Sequence, residues 1–199
     1  MDERVRIGIA EAIGTMILIV GGPGTAVLAT GNFFPKGTVG VLGVALALAP
    51  VGAWLAVKGA NVSGLEIVQM LVLSVAVMLW LVGFDIIYAL QDYEFDKSQG
   101  LHSLVVAWGP KNALQAAFLA HMVMCGVLFA FGLLCQFHVA YIVGWLIIVG
   151  CLMLEHWIAR RRSLNWISLA FFRLNALVSA VFFIVTAAEI FFQGGFQLR

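Results

Sequence analysis

Apolar runs of about 20 residues dominate this sequence, and no other feature limits its fold as tightly. A helix needs about that many residues to cross a hydrocarbon core, and it satisfies each backbone N–H and C=O internally where no water can do so. Six such runs lie at approximately 7–28, 39–57, 66–90, 111–135, 138–158 and 166–192. Short polar breaks separate them, including Gly31-Asn32, Pro35-Lys36-Gly37, Lys58-Gly59-Ala60-Asn61 and Gly109-Pro110-Lys111, which combine turn formers with charge as helix ends at an interface do. The expected architecture is an all-α, polytopic transmembrane helical bundle of about six spans, with the lipid bilayer as its solvent.

Composition agrees, because 63% hydrophobic and 11% charged residues leave too little polar surface to coat a soluble globule. A formal net charge of +1, with Arg160-Arg161-Arg162 as the single cationic run, lacks the clustered Lys and Arg of a nucleic-acid partner. That run reads instead as a cytoplasmic loop. Cys125, Cys135 and Cys151 lie inside apolar stretches without CxxC spacing and are expected to pack. The opening Met-Asp-Glu-Arg-Val-Arg precedes a long apolar segment with no clear small-residue cleavage pattern, so that segment is expected to be a retained transmembrane helix.

The densest polar cluster lies in the connection 91–110, with Asp92, Glu94, Asp96, Lys97 and His102. In Asp85-Ile-Ile-Tyr-Ala-Leu-Gln-Asp-Tyr-Glu-Phe-Asp96, the residues Asp85, Tyr88, Asp92 and Asp96 are offset by 0, 3, 7 and 11. On one continuous helix these fall within an arc of about 80°, with Glu94 nearly opposite. Asp85 lies about 28 Å along such a helix from Glu66, near the far boundary of the bilayer. Three carboxylates crowded at a membrane mouth repel one another and call for a compensating cation. Mg²⁺ suits them, since it takes one or two carboxylates and completes its shell with water and substrate phosphates. The same spacing also describes a solvated acidic loop neutralised by Lys97 and Arg160 to Arg162.

The run Val82-Gly-Phe-Asp-Ile-Ile-Tyr-Ala-Leu-Gln-Asp-Tyr-Glu-Phe-Asp-Lys-Ser-Gln-Gly-Leu-His-Ser103 resembles the second aspartate-rich motif of the UbiA prenyltransferase superfamily, and within it the 4-hydroxybenzoate polyprenyltransferase branch. Phe171-Phe172-Arg173-Leu-Asn175 and, upstream, Ala45-Leu-Ala-Leu-Ala-Pro-Val-Gly-Ala-Trp-Leu-Ala-Val57 are similar to the same branch. The likeness covers residues of about 46–199, a partial fold of that type. It implies Mg²⁺ held by Asp92 and Asp96 against an isoprenyl diphosphate, with Asp85 and Tyr88 lining the same cavity as catalytic residues. Lys97 and His102 would contact the phosphate oxygens. The implied reaction is prenyl transfer to an aromatic acceptor such as 4-hydroxybenzoate in quinone biosynthesis, in a bacterial-type inner membrane. The family's first motif, an Asn-Asp-x2-Asp run, has no match here, since Asp2 is the one Asp before Asp85. Impaired turnover is therefore expected, and a non-catalytic relic is the alternative.

The first forty-odd residues read differently. Ala10-Glu-Ala-Ile-Gly-Thr-Met-Ile-Leu-Ile-Val-Gly-Gly-Pro-Gly-Thr-Ala-Val-Leu-Ala29 resembles the opening helix of an aquaporin, and Gly37 to Ala47 continues the likeness. This implies a division into 1–45 and 46–199, as in a fusion or a truncated chimera. Pore function is not expected, because the paired Asn-Pro-Ala half-helices of such channels have no counterpart in this sequence. With six spans, the loops carrying Lys36, Lys97, Lys111 and Arg160 to Arg162 share one side, which the positive-inside rule makes cytoplasmic. His121, His138, His156, Glu155 and Glu189 lack ligand spacing and are expected to be structural.

Overall fold

The computed structural model describes residues 47–59, 62–160 and 164–195, with the side chains of 164–172 and 193–195 left aside. Its described elements are all helical: α1 (Ala49–Lys58), α2 (Gly64–Ala89), α3 (Tyr93–Ser98), α4 (Leu104–Leu134), α5 (Val139–Arg160) and α6 (Leu164–Gly195). Among the described residues, four segments are long and apolar enough to cross a membrane: α2, α4, α5 and, within α6, Arg173–Phe192. These correspond to four of the six expected spans. The span expected at 7–28 lies outside the described residues, and that at 39–57 is described only from Ala47 onward, as the 10-residue α1.

The chain divides into two compact units, Met1–Met124 and Cys125–Arg199. In the first, Pro50 supplies its fixed φ to the opening turn of α1. Gly59, at φ 65°, ends that helix with its N–H donating to the Leu55 carbonyl at 2.9 Å. Lys58 then meets Glu66 at 2.7 Å. Glu66 also closes a capping box on α2, where its N–H donates to Ser63 Oγ at 3.2 Å and its carboxylate accepts from the Ser63 N–H at 2.9 Å. Further along, Ser103 caps α4, accepting from the Val106 N–H at 3.3 Å. The break expected at Gly109-Pro110 is present as a kink in α4, since Gly109 leaves the helix at φ 78° and Pro110 cannot donate into the preceding turn. Val105, Ala113, Ala117 and His121 are fully buried along α4. Small side chains at 113 and 117 suit close backbone packing inside a membrane.

In the second unit, α4 ends on Gln136 at φ 54°, a left-handed position occupied by a residue with a side chain. The Phe137 N–H donates to the Gly132 carbonyl at 3.0 Å and the Gln136 N–H to Leu133 at 3.1 Å, while Phe137 folds back on Phe131. From α5, Tyr141 donates its hydroxyl to the Leu128 carbonyl at 2.8 Å and Trp145 its indole N–H to Cys125 at 2.9 Å. A Cβ on Gly132 would strike the Tyr141 ring, and one on Gly144 would strike Val185 of α6. Both glycines thus permit close helix approach. The inner stripe of α5 runs through Tyr141, Gly144, Ile148, Leu152, Glu155 and Ala159 at helical spacing. Its polar member, Glu155, accepts from Asn175 of α6 at 2.8 Å. Leu146, Phe183, Ile184 and Phe191 stay exposed, as lipid-facing side chains should.

Candidate functional site

The acidic residues singled out in the sequence lie where α2 leaves its membrane segment. Ile86 and Ile87 are buried in the last turns of α2, whereas Asp85 is half-buried and Tyr88 is exposed. The helix then tightens and stops. The Leu90 N–H is shared by the carbonyls of Ile86 and Ile87 at 3.3 Å, the Gln91 N–H turns back to Tyr88 at 3.0 Å, and the Asp92 N–H turns back to Ala89 at 3.3 Å. Such short-range bonds satisfy the last carbonyls of a helix without a cap residue.

Asp92 occupies the N-cap of α3, exposed, and its carboxylate makes no capping bond. Its carbonyl accepts the Asp96 N–H at 2.8 Å, so the two acids lie one helical turn apart. Glu94 and Asp96 occupy the first turn of α3, where the positive end of the helix favours carboxylates. Gly100, at φ 65°, closes this short helix. The Leu101 N–H reaches the Asp96 carbonyl at 2.8 Å and the Gly100 N–H reaches Lys97 at 3.4 Å, a pair of bonds that requires a left-handed residue at position 100. Lys97 is exposed with its ammonium 5.7 Å from the Tyr93 ring centre, and His102 is exposed before the Ser103 cap.

One expectation is corrected by this geometry. Asp85, Tyr88, Asp92 and Asp96 do not share the face of one continuous helix, because the backbone leaves helical order between α2 and α3. The break lies where the Gln91 and Asp92 N–H groups turn back three residues, to Tyr88 and Ala89, which tightens and ends α2 before α3 begins at Asp92 without a side-chain cap. Asp85 and Tyr88 belong to one helix, Asp92 and Asp96 to the next. Accordingly, no group of three or more His, Cys, Asp or Glu is drawn together as a metal cage among the described residues. The donor chemistry still fits Mg²⁺. Two hard carboxylate oxygens one turn apart, at an exposed helix start, match an ion that keeps several waters and takes the rest of its shell from phosphate. Neither Asp92 nor Asp96 forms an ion pair among the described residues, which contain the pairs Lys58–Glu66 and His138–Glu189.

Two further residues near these acids have surroundings that spacing does not show. The Gln91 amide nitrogen is buried in the turn without a hydrogen-bond partner among the described residues, in the same run as the acids. His121, as expected of a structural histidine, lies fully buried against α2, its Nε2 3.2 Å from the Trp80 carbonyl. Nothing in the spacing could have joined it to a carbonyl 41 residues away.

Comparison with known proteins places this geometry among relatives. A model described as the UbiA prenyltransferase family matches residues 36–177. A 4-hydroxybenzoate octaprenyltransferase of Burkholderia lata is 28% identical over 123 residues, covering 62% of this chain and 42% of that protein. Among solved structures, the apo structure of a UbiA homolog from Aeropyrum pernix K1 superposes with a TM-score of 0.63 at 27% identity, covering 75% of this chain and 54% of that one. This chain therefore spans about half or less of the length of these two relatives. The aquaporin likeness of the first residues finds no support in these matches, and the family match starts at residue 36, inside the segment attributed to it.

Proposed function

Since this chain belongs to the UbiA prenyltransferase family, we propose that it binds an isoprenyl diphosphate through Mg²⁺ at the α2–α3 turn and transfers the prenyl group to an aromatic acceptor. The observation that carries this reading is a pair of carboxylates, Asp92 and Asp96, one turn apart just beyond a membrane span and without an ion pair among the described residues. Asp92 and Asp96 would hold the metal, which, when bound, supplies positive charge against the leaving diphosphate. Lys97 and His102 would contact phosphate oxygens. Asp85 and Tyr88, at the end of α2, would line the cavity where the acceptor ring meets the prenyl carbon. In that step the allylic C–O bond breaks with its electron pair leaving on diphosphate, a ring carbon bonds to the prenyl carbon, and the ring loses a proton to restore aromaticity. The Burkholderia relative's name supports a 4-hydroxybenzoate-like acceptor, hence quinone biosynthesis, while family membership supports a membrane setting and that relative's bacterial source a bacterial-type inner membrane.

The absence of an Asn-Asp-x2-Asp run favours a second reading, in which this chain alone binds the diphosphate but turns it over slowly or not at all. Both readings meet one experiment. Protein in liposomes is given Mg²⁺, geranyl diphosphate and 4-hydroxybenzoate, and prenylated product is followed by mass spectrometry beside Mg²⁺-dependent retention of the diphosphate. Product that disappears on chelation supports transfer, retention without product supports the binding reading, and neither product nor retention refutes both.

A further inference from the structure

The acidic end of α2 has a second support, behind it and fully inside the protein. His121 of α4 has no exposed surface, and its Nε2 lies 3.2 Å from the Trp80 carbonyl of α2. A carbonyl can only accept, so Nε2 carries the hydrogen and donates it. Trp80 lies inside α2, and a backbone carbonyl has two lone pairs, so it can accept this bond beside a helical one. One turn further along, the imidazole lies directly on the α2 backbone: a Cβ at Gly83 would collide with its Cδ2 and Nε2 atoms. Glycine at 83 is therefore what admits the ring. Beyond this contact come Asp85, the buried pair Ile86 and Ile87, then Tyr88, and there the helix ends without a side-chain cap.

Resting on the reading of Asp85 and Tyr88 as site residues, we propose that His121 is a positioning residue, which pins α2 at Trp80 and Gly83 and so fixes the direction in which its last two turns present those side chains. A histidine that merely fills space would be replaceable by an apolar side chain of similar size. A positioning histidine would not be, whereas glutamine, whose amide N–H can reach the same carbonyl, would retain its function.

The experiment compares His121→Leu, His121→Gln and Gly83→Ala with the parent in lipid nanodiscs, reading backbone hydrogen exchange, Tm, and kcat and KM for prenyl transfer. His121→Leu is expected to speed exchange at residues 84–90 by about three- to twentyfold, the range that an interhelical hydrogen bond within a membrane supports. It should lower kcat by a similar factor while leaving KM for the diphosphate and exchange in α5 unchanged, and His121→Gln should restore both. Gly83→Ala, which pushes the ring aside, should reproduce the leucine effect and serves in its place if the leucine variant does not fold. Exchange at 84–90 equal to the parent's in both His121→Leu and Gly83→Ala overturns the proposal, as does acceleration spread evenly over all helices. If the parent shows no transfer, the proposed activity fails while the exchange comparison still decides the role of His121.

Discussion

Glu155 and Glu189 in the α5–α6 hairpin contrast with Asp92 and Asp96 in the turn after α2. Each hairpin glutamate is buried and engaged by its own chain. Glu155 takes the Asn175 amide at 2.8 Å, and Glu189 takes the Tyr141 backbone N–H at 3.1 Å with His138 at 3.3 Å. Glu189 thus supplies from α6 an acceptor for a backbone N–H in the first turn of α5. The two aspartates, by contrast, sit on a six-residue helix, one exposed and one half-buried, with no ion pair among the described residues. A carboxylate inside a membrane span is costly, and these bonds, which leave Glu155 Oε2 without a hydrogen-bond partner among the described residues, give both hairpin acids a structural role. At the membrane boundary that pressure is absent, and carboxylates left open there suit a ligand that arrives with its own cation.

The sharpest way to break this contrast is to remove the two aspartates. Asp92→Ala/Asp96→Ala should reduce prenyl transfer by about 10²-fold or more, the scale on which loss of charge stabilisation is felt. Its unfolding free energy should stay within the range of surface substitutions, about ±0.5 kcal/mol, with Tm essentially unchanged. Comparable destabilisation and loss of activity would make these acids structural as well. Gly144→Ala tests the hairpin from the opposite direction. The added methyl meets Val185, and overpacking of this kind costs about 1–3 kcal/mol, readable by unfolding in mixed micelles. Asn175→Leu should cost less, about 0.6 kcal/mol and at most about 1.7, the mean and maximum for hydrogen bonds within membranes. The smallest effect is expected at Gln136→Gly, which relieves a side chain held at φ 54° and should raise stability by about 0.5–1 kcal/mol.

How much of this could be read in the sequence differs between the same two regions. Helix existence was legible because apolar runs of bilayer length admit one solution, and the observed α2, 64–89, lies within two residues of the expected 66–90. The Gly109-Pro110 break was legible too, since both residues act on their own backbone. The division between α2 and α3 was not, because offsets of 7 and 11 suit a continued helix as well as a fresh start at Asp92, and the turn Leu90-Gln91-Asp92 holds no Gly or Pro to mark it. Hidden altogether were the contacts that join distant positions: Glu189 with Tyr141, Asn175 with Glu155, and His121 with Trp80. Gln136 in a left-handed turn gave no signal, since glycine is what such a position would announce.

The most direct test is calorimetric titration of the purified protein with geranyl diphosphate, in the presence of Mg²⁺ and then of a chelator. A saturable, Mg²⁺-dependent heat that vanishes in Asp92→Ala/Asp96→Ala, with Tm unchanged, is the predicted result. Binding of equal strength in the chelated protein or in the double variant would contradict the assignment of the α2–α3 turn as the diphosphate site.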